Sequence, residues 1–244
     1  MIDLSTKYLG LELENPIIVS SSGLTNSVEK IIKLKEYGAG AVVLKSLFEE
    51  QIRYEAGTMA DTSDYPEAAD YVNYYTKNNS VEEYLQLISD AKSKSGIPVI
   101  ASINCISGKD WLDFASRVQD AKADALELNI FVLPTDKSKK PGYYEEKYLD
   151  IASRVKGHVS IPVSVKIGPY FTNLHYMVEQ LFYRKIAGVV LFNRFYAPDI
   201  DTDQLKITAA EVFSNPSDIR QSLRWVGMIS SGYKFQDFDI AAST

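Results

Sequence analysis

The sequence predicts an α/β chain, a (β/α)8 TIM barrel lacking its final helix-strand-helix portion, and three observations carry that prediction. Short runs that begin apolar and end polar recur along the chain, at 16–23, 39–46, 97–105, 125–131, 161–169, 187–194 and 238–244. Segments with helical periodicity separate them, so a strand-then-helix unit repeats, and right-handed crossovers between such strands give a parallel sheet. No Gly-x-Gly-x-x-Gly follows any of the seven runs, which counts against a doubly wound dinucleotide-binding domain.

The first fifteen residues stand outside the repeat. Leu9-Gly10-Leu11-Glu12-Leu13 alternates like a small hairpin, placed to plug one end of the barrel. The first repeat strand, 16–23, ends in Ser20-Ser21-Ser22-Gly23, where hydroxyls, backbone N–H groups and a glycine let a flat ligand approach. The spacing then predicts a helix over 28–37 that stops at Gly38. The second strand ends at Lys45-Ser46. From 47 to 80 the period breaks into an acidic, tyrosine-rich insertion, too long for an ordinary βα loop, which reads either as structural packing or as a lid or a dimer surface, the last making a homodimer one expected assembly.

Helical periodicity returns at 81–95, with Tyr84, Leu85, Ile88 and Ala91 on one face. The third strand ends at Asn104 and Cys105, the latter expected as a small packed residue rather than a nucleophile. A helix over 109–122 buries Trp111, Phe114, Ala115 and Val118. Glu127-Leu128-Asn129-Ile130 closes the fourth strand, and Asn129 sits where a side-chain amide reads a ligand edge. The loop that follows, from Phe131 and Val132, leads to the lysines of 137–140 and a helix over 143–156.

The fifth strand, Ile161-Pro162-Val163-Ser164-Val165-Lys166-Ile167, is a β-branched run bounded by proline that reads as a buried parallel strand. A lysine is seldom buried without a partner, so Lys166 at the end of such a strand points to an anionic or electron-rich ligand over the strand ends. Lys45 repeats the arrangement. His158 reads as structural, and His175 falls in the first turn of a helix over 173–185. Phe192-Asn193-Arg194 ends the sixth strand and opens a second insertion, 195–215, in which Asp199-Ile200-Asp201-Thr202-Asp203 lacks the glycine and closing glutamate of a calcium loop. A helix over 216–230 and a seventh strand over 238–243 complete the pattern.

Composition narrows the function. With 244 residues, 45% hydrophobic and 24% charged, the chain reads as one globular domain. A net charge of −6 argues against a nucleic-acid partner, since such binding rests on clustered Lys and Arg. No apolar run reaches the length of a membrane span and the N-terminus shows no signal pattern, so no membrane association and a cytoplasmic location are expected. One cysteine excludes an internal disulfide, and with two histidines it supplies no zinc-type ligand set, so no metal is expected.

Taken in order, the strand ends Ser21-Ser22-Gly23, Lys45-Ser46, Asn104, Glu127-Leu128-Asn129, Val165-Lys166 and Phe192-Asn193 resemble the dihydroorotate dehydrogenase family, an FMN-dependent (β/α)8 barrel of pyrimidine biosynthesis. The resemblance covers nearly the whole chain and is to the soluble class. It implies that Ser21, Ser22 and Gly23 border an FMN ring, that Lys45, with Ser46 beside it, touches both flavin and substrate, and that Asn104, Asn129 and Lys166 hydrogen-bond the flavin. It further implies that Lys45, Asn129 and Asn193 hold a dihydroorotate-like small molecule, with Lys45 the candidate catalytic side chain. Cations and amide donors arranged around a ring that gains negative charge favour hydride acceptance. The family's soluble members carry a cysteine base in the loop after the fourth strand, where this chain has Phe131 and Val132, and a substrate-gripping Asn-x-Met-Gly-x-x-Asn loop that is not found in 47–80. The family's phosphate-gripping glycine turns follow strands seven and eight, beyond Thr244. The sequence therefore predicts an FMN-dependent oxidoreductase acting on CH–CH groups with weak dihydroorotate turnover. The alternatives are a non-catalytic remnant or binding protein on the same barrel, and an FMN oxidoreductase for another ring substrate.

Overall fold

Seven parallel strands curl into a half-barrel, and the alternation of their side chains decides what lies inside it. The computed structural model describes residues 2–48, 66–105, 108–194, 198–209, 214–232 and 237–243. An antiparallel hairpin comes first, β1 (Thr6–Tyr8) with β2 (Leu11–Leu13), turned by Leu9 and Gly10, both at positive φ. The parallel strands are β3 (Ile18–Val19), β4 (Ala41–Val43), β6 (Val99–Asn104), β7 (Ala125–Asn129), β8 (Val163–Ile167), β9 (Gly188–Leu191) and β12 (Asp239–Ala242), paired in that order, while the short β5 (Leu47–Phe48) also pairs with β6. Among the described residues β3 pairs only with β4 and β12 only with β9, so the sheet is not closed.

Helices α1 (Val28–Glu36), α2 (Pro66–Ser95), α3 (Gly108–Asp120), α4 (Tyr143–His158), α5 (Leu174–Tyr183) and α6 (Ile219–Gly232) alternate with the strands. Their starts follow local chemistry. Ser27 caps α1 by accepting from the Lys30 N–H, and Asn173 caps α5 by accepting from the Tyr176 N–H. Strand residues Val42, Val99, Ala101, Ile103, Leu126, Leu128, Val163, Val165 and Ile167 face outward into one large core with Ile31, Ile88, Phe114, Ala152 and Met177 of the helices. Alternate residues face the lumen. There Ala41, Val43, Ile100 and Ala125 pack on Tyr8, Leu9 and Leu13 of the hairpin, which plugs the N-terminal end as expected.

Several boundaries differ from the sequence reading. Helix α2 begins at Pro66, fifteen residues before the expected start, so the insertion placed at 47–80 gives up its second half to helix. Proline is tolerated in a first turn, and no glycine or proline interrupts the chain from there to Gly96, so an absent apolar period did not mean an absent helix. Residues 49–65, with Tyr54 and Tyr65, lie outside the described residues. The 195–215 insertion contains an antiparallel hairpin, β10 (Pro198–Asp201) with β11 (Lys206–Ala209), whose Asp201 carboxylate accepts from the Asp203 and Gln204 N–H groups at the turn. Helix α6 starts at Ile219 because residues 216–218 are spent in a turn in which Asp218 accepts from the Asn215 N–H.

Candidate functional site

Period-two alternation stacks polar residues in two layers within the lumen. In the lower layer Ser102, Glu127, Ser164 and Gly188 are cross-strand neighbours on β6, β7, β8 and β9. In the upper layer Asn129, Lys166 and Val190 are neighbours in the same way, at the C-terminal ends of the strands. The upper layer therefore forms the mouth, where side chains from successive strands of a barrel converge.

A hydrogen-bonded group ties the mouth together. The Ser46 N–H donates to Ser21 Oγ at 2.8 Å, and the two hydroxyls lie 3.1 Å apart. Ser46 Oγ is 2.7 Å from Ser102 Oγ and accepts from Asn129 Nδ2 at 3.3 Å. Asn104 Nδ2 donates to the Asn129 carbonyl at 2.8 Å. On the other side, buried Asn193 donates through Nδ2 to the carbonyls of Ile130 and Lys166, each at 3.3 Å, and its N–H donates to the Ile167 carbonyl. Thus Ser21, Ser46, Asn104 and Asn129 meet as one group, with Asn193 fastened to the strand that carries Lys166.

The other expected residues are placed differently. The Ser22 hydroxyl accepts from the Leu24 N–H within a turn that Thr25 closes, so it is committed to the backbone rather than to the group around Ser46. Gly23 is exposed, and its carbonyl accepts from Lys30 Nζ. Lys45 is exposed at the end of β4, its N–H donating to the Thr25 carbonyl. Cys105 is buried.

Electrostatics centre on the lumen. Glu127 and Lys166 are the charged side chains buried among the described residues, 3% and 9% exposed. Burial pushes the Glu127 carboxyl above its ordinary range, with Lys166 and a hydrogen bond from Ser102 opposing the shift. The Tyr8 phenol is raised chiefly by burial and next by the Glu127 charge, with Ser164 opposing. A cavity of about 210 Å3 opens beside these groups, with Tyr8, Glu127, Lys166, Val190, Ala241 and Ser243 in its wall. Four buried side-chain atoms lack a hydrogen-bond partner among the described residues, and two of them, Glu127 Oε1 and Ser164 Oγ, belong to the lower layer, while Asn129 Oδ1 belongs to the upper.

Tyr148 of α4 fixes the backbone of the loop after β7. Tyr148 donates to the Ile130 carbonyl at 2.9 Å and accepts from the Val132 N–H at 3.4 Å, and burial pushes its phenol up to about 12. Phe131 is 42% exposed in that loop. Neither it nor Val132 accepts a proton. Sequence reasoning quoted Glu127 without giving it a role and passed over Ser102 and Ser164. Their signal was the i, i+2 pairing with Asn129, Asn104 and Lys166.

Comparison with known proteins shows the family. The family model described as dihydroorotate dehydrogenase matches residues 3–213, well over half of the chain. The chain belongs to the dihydroorotate dehydrogenase family. It is 29% identical over 205 residues to the catalytic subunit of dihydroorotate dehydrogenase B (NAD(+)) of Thermoplasma acidophilum, covering 82% of this chain and 65% of the relative. With the protein of the same name from Methanocaldococcus jannaschii it shares 24% identity over 243 residues, 97% of this chain and 77% of the relative. The chain thus spans about two thirds of the length of such family members. In backbone path it is similar to a structure described as a putative dihydrodipicolinate synthase family protein from Coccidioides immitis, with TM-score 0.53 at 13% identity over 94% of this chain and 60% of the other. A dihydrodipicolinate synthase from Acinetobacter baumannii gives 0.52 at 15% identity, over 93% and 63%. At such identities the likeness concerns the fold alone, and that fold agrees with the partial barrel. No helix among the described residues is long and apolar enough to cross a membrane.

Proposed function

We propose that this family member binds FMN at the barrel mouth and acts as an oxidoreductase on a dihydroorotate-like ring. The observation that carries the reading is the meeting of Ser21, Ser46, Asn104 and Asn129 in one hydrogen-bonded group beside Lys166 and Asn193. The residues present fit a flavin. Asn129 Oδ1 is a buried acceptor without a partner, suited to a ring N–H, and the Lys166 ammonium is a buried cation suited to the side of a ring that gains negative charge. Ser21, with Ser22 and Gly23 on the rim, would border the ring, and Lys45, exposed at the opening, would reach flavin and substrate together. Asn193, with Asn129, would hold the substrate.

FMN when bound supplies the hydride acceptor. The chain's own part is to bind and orient. The group around Ser46 fixes Asn129, Asn193 is locked by two carbonyls, and Tyr148 fixes the backbone of the loop after β7. That loop offers Phe131 and Val132 where the resemblance places a base, so proton removal is the slow step and dihydroorotate turnover is weak. Relatives named as catalytic subunits support an assembly with further protein; we take that assembly as a homodimer or a complex with a second subunit, in the cytoplasm. The test is to titrate the chain with FMN, follow quenching of flavin fluorescence, and then add dihydroorotate without oxygen and watch the visible flavin band. Saturable quenching followed by slow bleaching supports the reading. Absence of quenching at millimolar FMN refutes it.

A further inference from the structure

The buried acid of the lower layer has no role in the binding scheme above, yet an acid is costly to keep in a lumen. Among the described residues Glu127 makes no ion pair within contact distance, and one of its oxygens has no partner, so it is not there to staple strands together. Its neighbour in register on β6 is Ser102, whose backbone is held by the Tyr84 hydroxyl at 2.7 and 2.8 Å.

Resting on the flavin reading, we propose that Glu127 is a positioning residue: its ionised carboxylate sets the direction of the protons in the Ser102–Ser46–Asn129 chain and thereby presents Asn129 Oδ1 to an N–H edge of the bound ring. The inference is a count of protons. An ionised carboxylate only accepts, so Ser102 gives it its hydroxyl proton. Ser102 Oγ must then accept from Ser46, 2.7 Å away, which uses the single proton of Ser46. Ser46 Oγ has only lone pairs left for its remaining neighbours. Asn129 must turn its NH2 toward it, as found at 3.3 Å, and Ser21 must donate to it while accepting the Ser46 N–H. With the NH2 turned to Ser46, Asn129 Oδ1 is left as an acceptor without a partner. When Glu127 is neutral, Ser102 is free to donate to Ser46, and the amide is no longer held to one orientation.

The carboxyl is raised by burial, so the ordered chain exists above that raised value and is lost as pH falls through it. Lys166 on β8, Tyr8 on the hairpin and Tyr84 on α2 face Glu127, and Asp239 on β12, also raised, lies by Tyr8. Cutting the chain at Ser102 separates the relay from all of them, because S102A keeps every charge.

The test uses FMN as the probe and the full chain as protein. In the wild type FMN binds about tenfold more weakly at a pH below the Glu127 transition than above it, the worth of one hydrogen bond left unmade. S102A binds about tenfold more weakly at the high pH and loses the pH dependence, S102T, which keeps the hydroxyl, restores both, and D239N keeps the wild-type profile. Flavin-free side-chain amide NMR of Asn129 gives an independent reading: its NH2 signals follow the Glu127 transition in the wild type and not in S102A. Wild-type affinity in S102A, or a pH profile that survives there, overturns the proposal. If the chain takes up no FMN, the function reading falls, and the Asn129 signals still decide the relay, since a pH response that persists in S102A overturns it.

Discussion

Replacing Lys166 by methionine tests whether the lumen is an electrostatic device or simply a packed core. Methionine keeps the apolar stem of the lysine, so the volume between β7 and β9 stays filled and the cavity cost is small. What is lost is the buried cation that, among the described residues, opposes the rise of the Glu127 carboxyl. Left without it, Glu127 takes up a proton instead of remaining an unpaired buried charge. Holding a carboxyl of ordinary value 4.5 neutral at about pH 7 costs about 3 kcal/mol, at roughly 1.36 kcal/mol per unit, which sets the ceiling of the effect. The sign follows from linkage. A carboxyl raised in the folded state contributes stability that is fully present below its unfolded value and lost as pH rises through the folded value. K166M moves the folded value further up and so extends that loss toward neutral pH. Urea unfolding followed by circular dichroism is expected to show K166M weaker than wild type by up to about 3 kcal/mol at about pH 7, with the difference shrinking to near zero at about pH 4. A deficit of the same size at both pH values would mean that the lysine acts through packing, and would refute the charge argument.

Three further outcomes are expected. The Asp239 carboxylate accepts from the Leu9 N–H at 2.6 Å and so ties the plug hairpin to the last strand; D239A costs about 2 kcal/mol in urea unfolding and speeds amide exchange at Leu9 above the rest of the lumen. A methyl group at Gly40 would sit 2.3 Å from the Asn15 carbonyl oxygen, so G40A lowers stability by about 3 kcal/mol or yields insoluble protein, measured by thermal melting against the wild type. V132C places a proton acceptor in the loop held by Tyr148, and anaerobic reduction of bound flavin by dihydroorotate rises by about a hundredfold, the lower range for general base catalysis; an unchanged rate means that the loop does not face the substrate.

The repeat of apolar runs ending in polar residues was enough to give the parallel half-barrel, because a strand buried on both faces leaves a continuous signature that does not depend on partners far along the chain. The hairpin plug was legible because its signal is also local, the alternation of Leu9-Gly10-Leu11-Glu12-Leu13, although Leu9 and Gly10 turn out to form the turn at positive φ rather than strand. Other features depend on distance in sequence and left no local trace. The bond from Leu9 to Asp239 joins residues 230 positions apart, and nothing near Asp239 marks it as a partner of the hairpin. Ser22 looked equivalent to Ser21 in a run of three serines, yet one hydroxyl turns to the Leu24 N–H and the other to Ser46, a choice made by the turn that Thr25 closes. The start of α2 was missed because its first half lacks an apolar stripe, so amphipathic period, the main helical signal, was silent there.

Glu127 lies between these cases. The alternation Glu127-Leu128-Asn129 places the acid and the amide on one lumenal face as firmly as Ser102-Ile103-Asn104 and Ser164-Val165-Lys166 do theirs, so a lower polar layer was present in the sequence wherever an upper one was read. What the sequence lacked was the register, which sets Ser102 beside Glu127 and Asn129 beside Lys166 and so turns three separate pairs into two stacked rows. A strand slip of one residue would send the same side chains outward into the helical core, where an acid and a lysine have no water and no partner. The polar rows thus help to fix the register that the apolar rows share. The lower row supports the upper one, and a site drawn only from the strand ends omits the layer that orients it.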